Sequence, residues 1–193
     1  PSKGVGFGVS FGRLLADATN RHVLLVPAAR GDTSFTPKNG YTWDLADRKT
    51  RRNLYREATK AIDDALRRFP GSEVAAILWH QGETDVPLTP GPRYLSKLDA
   101  TIDDLRQRYG EDVPFVIGQM VPDEMRQGHP DYPIIDAVHA DTPNRRPRVL
   151  FVEGPDGCIN GGMVKGRLDT HYNAEGQREL GRRMWQAYLN EQL

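Results

Sequence analysis

Four short apolar runs, Val23–Val26, Val74–Trp79, Phe115–Met120 and Val149–Val152, constrain the fold most. Each is nearly continuous in apolar residues instead of alternating with polar ones, which is how strands covered on both faces read. Between and around them lie stretches with helical spacing: Phe11–Ala18, Arg51–Phe69, Tyr94–Tyr109, Ile134–Ala140 and Ala174–Leu189. Strands alternating with amphipathic helices imply an α/β fold, flavodoxin-like, with three α/β/α layers around a parallel sheet. The polar connections Thr36–Lys49 and Asp123–Pro133 are expected to be surface loops near strand ends, where binding groups are commonly placed. A length of 193 residues makes one domain over residues 1–193 the expected organisation.

The first strand of such a domain is missing from this pattern. The chain opens on the glycine-rich Gly4-Val5-Gly6-Phe7-Gly8 and passes directly into a helical stretch. In a 2-1-3-4-5 strand order the absent strand belongs between Val23–Val26 and Val74–Trp79. An empty slot there would leave two strand edges unpaired, which is costly. About 40 or 50 residues are therefore expected before Pro1, given usual strand and loop lengths. A separate N-terminal segment completing the sheet is the equivalent expectation.

Two segments carry chemistry. The run Val74–Trp79 ends abruptly in His80-Gln81-Gly82-Glu83-Thr84-Asp85, as a buried parallel strand does when it delivers polar groups at its C-terminal end. Gln81 can donate a hydrogen bond, Gly82 allows close backbone approach, and Glu83 can orient a base. Read alone, the segment is equally a strand-to-helix loop with capping residues. The second segment is Asp169-Thr170-His171-Tyr172-Asn173, before the last helix. Asn173 is the expected N-cap of that helix. His171 then sits in a loop with a carboxylate two residues upstream, an arrangement suited to a general base. Read alone, it is a surface histidine beside a solvated aspartate. His80 is expected to buttress its loop, since strand alternation points it away from Gln81.

Composition excludes several functions. Formal net charge is zero, so no general affinity for nucleic acid or an anionic membrane follows. The local basic clusters Arg48–Arg52, Arg67-Arg68 and Arg145-Arg146 stand among acids and read as solvated faces. Cys158 is the only cysteine, which rules out an intramolecular disulfide and a cysteine metal cluster, and it is expected to be a packed thiol. The five histidines show no His-x-x-x-His spacing, so no metal is expected, and no motif calls for a cofactor. No apolar run approaches membrane-spanning length. No signal peptide is visible, and the compartment stays undetermined because the first residue is proline and not methionine.

Three blocks, in order, resemble the SGNH (GDSL-like) hydrolases, in the branch that holds carbohydrate esterase family six and the sialate O-acetylesterase-like proteins. They are Leu25-Val26-Pro27-Ala28-Ala29-Arg30-Gly31-Asp32-Thr33-Ser34, Trp79-His80-Gln81-Gly82-Glu83, and His171-Tyr172-Asn173-Ala174-Glu175-Gly176-Gln177. The resemblance implies a serine-type ester hydrolase that removes small acyl groups, acetyl above all, from a carbohydrate or related ester. It implies His171 as base, and Gly31 through its N–H and Gln81 through its amide as oxyanion donors. Two departures matter. The family's glycine-glutamine-serine block, which holds the nucleophile, does not occur in residues 1–193. The family's acid stands three residues before the histidine, where this chain has Leu168; Asp169, two before, or Glu83 takes the role. In an extended segment residues two apart point to one side, which favours Asp169.

Gly8-Val9-Ser10-Phe11-Gly12 spells the nucleophile elbow of another hydrolase class, but no strand precedes it, so Ser10 is a weak alternative. Two further readings stay open: an esterase acting on lipid or aryl esters, and a nucleophile-lacking carbohydrate-binding or scaffold domain. A nucleotide-binding reading fails for want of a glycine-rich phosphate loop between a strand and a helix.

Overall fold

The structure is a computed structural model that describes residues 6–123, 129–158, 163–164, 167–168 and 170–192. In chain order the elements are α1 (Phe7–Thr19), β1 (Tyr41–Thr42), β2 (Arg52–Asn53), α2 (Leu54–Arg68), β3 (Ile77–Trp79), α3 (Gly91–Tyr109), β4 (Phe115–Gly118), α4 (Tyr132–Arg145), β5 (Val149–Val152), β6 (Met163–Val164), β7 (Arg167–Leu168) and α5 (Ala174–Gln192). Strands β3, β4 and β5 form a parallel sheet in that spatial order. Ile77 registers with Phe115, and Phe115 with Val149.

Side chains alternate cleanly across this sheet. Ile77, Trp79, Phe115, Ile117 and Val149 pack into one core with α2, α3 and α4, where Leu98, Ile102 and Ile135 are buried. Leu78, Val116, Leu150 and Val152 pack into the other with Phe11 and Leu15 of α1 and Leu180 and Met184 of α5. The continuous apolar runs exist because each strand feeds two cores. Burying each large apolar side chain contributes roughly 1.5–3 kcal/mol.

The expected strand Val23–Val26 is not one. The segment carries no ladder to any described residue, and it does not pair with β3. Val23 and Leu25 instead lie over Gly12 of α1, where a methyl group would come 2.8 Å from Leu25 Cδ2. Leu24 and Leu25 remain 57% and 43% exposed. Apolar residues here secure packing against a helix, but a strand also needs a neighbour's backbone.

Boundaries shift elsewhere. Helix α1 starts at Phe7, inside the glycine-rich stretch, because the backbone N–H of Phe7 donates to Gln177 Oε1 of α5 at 3.2 Å. Gly181 lets the two helices meet closely, since a side chain there would overlap the carbonyl of Phe7. The 74–79 run is ladder-paired only from Ile77, and the 115–120 run only to Gly118. Helix α2 starts at Leu54 because Arg52–Asn53 pairs with Tyr41–Thr42 and Asn53 Oδ1 caps the helix, accepting from Arg56 N at 3.1 Å. Helix α4 is longer than the expected 134–140, running from Tyr132 to Arg145.

Asn173 is the N-cap of α5: its Oδ1 accepts from Gly176 N at 2.8 Å. Asn173→Ala removes that acceptor and is expected to cost about 1 kcal/mol. Thermal unfolding should show a Tm roughly 2–4 °C lower for a domain of this size. An unchanged Tm would mean the cap contributes nothing to folding.

Candidate active site

The site grows from the C-terminal end of β3. Trp79 is buried beneath Phe35, stacked at 6.0 Å between ring centres, and against Trp43. Beyond it the backbone turns at Gly82, with φ of +152°. A methyl group at Gly82 would lie 2.7 Å from Met120 Sδ and 3.2 Å from His139 Cε1, so only glycine fits this corner.

His80 and Gln81 diverge as strand alternation requires. His80 Nδ1 sits 3.2 Å from the carbonyl of Gly118, and its Nε2 3.4 Å from Glu83 Oε1. Gln81 faces the other way. Its Nε2 donates to Asp85 Oδ2 at 2.5 Å and makes a longer contact, 3.4 Å, to the carbonyl of Thr33. Asp85 is fully buried and accepts from the Phe35 N–H at 3.1 Å and from the Thr89 hydroxyl. Burial pushes its pKa up, against the pull of those donors. One carboxylate thus clamps the 33–36 loop to the 81–89 loop.

Tyr94 and His139 support Gln81 from beneath. The Tyr94 hydroxyl lies 3.0 Å from Gln81 Oε1, 3.1 Å from the Gln81 carbonyl and 2.7 Å from His139 Nε2. His139 is fully buried, and burial with the nearby charge of His80 holds its pKa down to about 3, so the ring is neutral. Its Nδ1 is buried without a hydrogen-bond partner among the described residues. A bare lone pair is less costly there than an orphaned N–H, which puts the proton on Nε2. His139 then donates to Tyr94, and Tyr94 donates to Gln81.

The loop before α5 reaches the same strand ends. Tyr172 is buried, donates to the carbonyls of Gln119 and Met120 at 3.2 and 3.3 Å, and lies over His80 at 5.5 Å between ring centres. His171, next to it, is exposed to solvent. The Leu25–Ser34 block arrives through Thr33, whose hydroxyl closes a turn on the carbonyl of Arg30 at 2.7 Å. Gly31 lies within that turn, exposed, with open space where a side chain would be. All three blocks therefore meet around the end of β3, through Thr33–Gln81 and His80–Tyr172.

Other expected residues fall as follows. Asp169 lies outside the described residues. Glu83 has His80 as its neighbour. Ser10 is inside α1, its Cβ facing Gly181 of α5; the five residues that spell the elbow are helical and form no strand-to-helix corner. Cys158 is half-buried against Gly176, and burial followed by the nearby Glu175 and Glu179 raises its thiol pKa, as suits a packed thiol. Among the described residues no acidic, histidine or cysteine cluster could hold a metal, and no helix is long and apolar enough to cross a membrane. Arg67, Arg145 and Arg146 all meet carboxylates.

Sequence reasoning missed Asp85, Tyr94 and His139. Asp85 had a signal, standing four residues after Gln81 on the same turn. Tyr94 and His139 had none, since only folding brings them beneath the loop.

A parallel sheet between two helical layers, with a polar loop cluster at the C-terminal end of its strands, defines a three-layer α/β/α hydrolase-like fold. A family model described as carbohydrate esterase, sialic acid-specific acetylesterase, matches residues 1–190, and the chain belongs to that family. Two solved structures share the fold. NanS is 18% identical with a TM-score of 0.77, over 96% of this chain and 71% of its own. The Arabidopsis thaliana protein AT4G34215 is 24% identical with a TM-score of 0.75, over 97% of this chain and 69% of its own. No curated protein matches the chain.

Proposed function

We propose that this chain forms most of a serine-type carbohydrate esterase that removes acetyl groups from a sialic acid-type sugar ester. The observation that carries the reading is the meeting of three loops at the end of β3, with Gln81 held by Asp85 and Tyr94 and the 171–172 loop resting on His80. In this reading His171 takes the proton of a serine hydroxyl supplied from outside residues 1–193 and returns one to the leaving alcohol. Asp169 orients His171, with Glu83 as the alternative acid.

The Gly31 N–H and the Gln81 amide face the oxyanion. Gln81 commits one amide hydrogen to Asp85 at 2.5 Å; the other rests on a 3.4 Å contact to Thr33, weak enough for a developing oxyanion to take over. Each such donor is worth roughly 3–4 kcal/mol of transition-state stabilisation.

The full-length protein is expected to hydrolyse p-nitrophenyl acetate and to release acetate from an O-acetylated sialic acid. Loss of activity toward butyryl and longer acyl esters should accompany this. A preference for long acyl chains would transfer the protein to the lipid esterases. Absence of hydrolysis with every ester, alongside retained sugar binding, would make it a binding domain.

A further inference from the structure

The turn that carries Gly31 also presents a cation that forms no ion pair among the described residues. The guanidinium of Arg30 sits 3.9 Å from the centre of the Tyr41 ring, and among the described residues it makes no ion pair and no hydrogen bond. Its neighbours are engaged. Lys38 pairs with Asp32, and Arg52 grips Glu57 through two bonds of 2.7 and 2.6 Å. Arg52 also approaches the Tyr41 ring, at 5.5 Å. Slight burial raises the Tyr41 phenol, but the charge of Arg30, the hydrogen bonding and charge of Arg52, and hydrogen bonding from Arg51 outweigh it and hold the pKa below the ordinary value.

Three arginines thus gather at one tyrosine, with the Glu57 carboxylate beside them, in a chain whose formal net charge is zero. Gathering like charges is unfavourable unless an anion completes the set. Stacking on the ring costs Arg30 none of its five N–H donors while restricting its motion, so the fork is already positioned for a planar anion.

Location supplies the second half of the argument. Arg30 precedes Gly31, and the Thr33 hydroxyl closes the Arg30–Thr33 turn at 2.7 Å. The carbonyl of Thr33 is the group that contacts the Gln81 amide at 3.4 Å. Arg30 therefore stands one turn from the proposed oxyanion donor, at the rim of the same loop cluster. We propose that Arg30, seated over Tyr41, receives the carboxylate of an anionic sugar and sets the preference of this site for acidic over neutral sugar esters. This rests on the esterase reading for its substrate but assigns a subsite separate from the reacting groups. A neutral sugar offers hydroxyls that any polar side chain accommodates. A carboxylate matches the guanidinium fork with two parallel bonds.

The test compares a sugar acid with the same sugar made neutral. Calorimetric titration of the full-length protein with N-acetylneuraminic acid and with its methyl ester gives two dissociation constants. The acid is expected to bind about 10- to 100-fold more tightly, the range of a charge-assisted hydrogen bond that is lost in the ester. Arg30→Gln should bring the ratio to about one, and Arg30→Lys should leave an intermediate value because the charge remains and the fork does not. A ratio unchanged in Arg30→Gln, a wild-type ratio of one, or no binding of the acid overturns the assignment. Hydrolysis of uncharged p-nitrophenyl acetate by the wild-type protein reports the esterase reading separately, because that ester carries no carboxylate for Arg30.

Discussion

Asp169→Asn in the full-length enzyme is expected to lower kcat by about 10⁴, the scale on which a triad carboxylate turned into an amide acts. His171→Gln should do at least as much, since it removes the base itself. Both variants are expected to unfold at the wild-type temperature; His171 is exposed to solvent. Glu83→Gln is expected to have a much smaller effect. Its carboxylate lies 3.4 Å from His80 Nε2. Steady-state rates with p-nitrophenyl acetate and one melting curve per variant decide the matter. If Glu83→Gln gave the larger loss, Glu83 would be the acid and Asp169 a loop residue.

The second large effect is expected at Asp85, which touches no reacting atom. Asp85→Ala strands the buried Phe35 N–H and releases the Gln81 amide, while Thr89 keeps Thr36 as a partner at 2.8 Å. Leaving such groups unpaired costs about 2–4 kcal/mol in all, or a Tm lower by roughly 5–15 °C. Activity of the folded variant should also fall by about a hundredfold or more, the price of a misplaced oxyanion donor. Asp85→Asn adds a readout in pH. Burial raises the folded-state pKa of Asp85 above its unfolded value. The stability linked to that shift is present below the unfolded pKa and disappears as pH rises through the raised one. Wild-type stability relative to Asp85→Asn should therefore decline across that acid window. A flat difference would show that the carboxyl titrates alike in both states.

The sheet was legible because β4 and β5 feed two cores and so carry no polar residue between Phe115 and Ile117 or between Val149 and Val152. Val23–Val26 has the same composition, yet its fate hangs on a neighbouring backbone that side-chain pattern does not reveal. The start of α1 was hidden for a similar reason. Gly6 and Gly8 favour coil, and the bond to Gln177, 170 residues away, overrides them. At the site, the opposite facing of His80 and Gln81 follows from period two alone, and the cap at Asn173 from its residue type. The Asp85 clamp does not, since its meaning comes from Phe35, fifty positions earlier. Nothing in the sequence distinguishes His139 from any helical histidine; its place against Gly82 comes from folding alone.

The relay from His139 through Tyr94 to Gln81 has a fixed polarity. A phenol carries one proton, and with His139 donating, that proton can go only upward to the glutamine. An amide turned end for end would set its oxygen against the Asp85 carboxylate and its nitrogen against a hydroxyl already aimed at it. Gln81 is therefore locked in one of its two orientations, with nitrogen toward the Thr33 side. Because His139 gains a proton only near pH 3, this lock holds throughout the range in which an esterase works. A fall in rate on mild acidification would then register the loss of a base, with the amide still aimed as before.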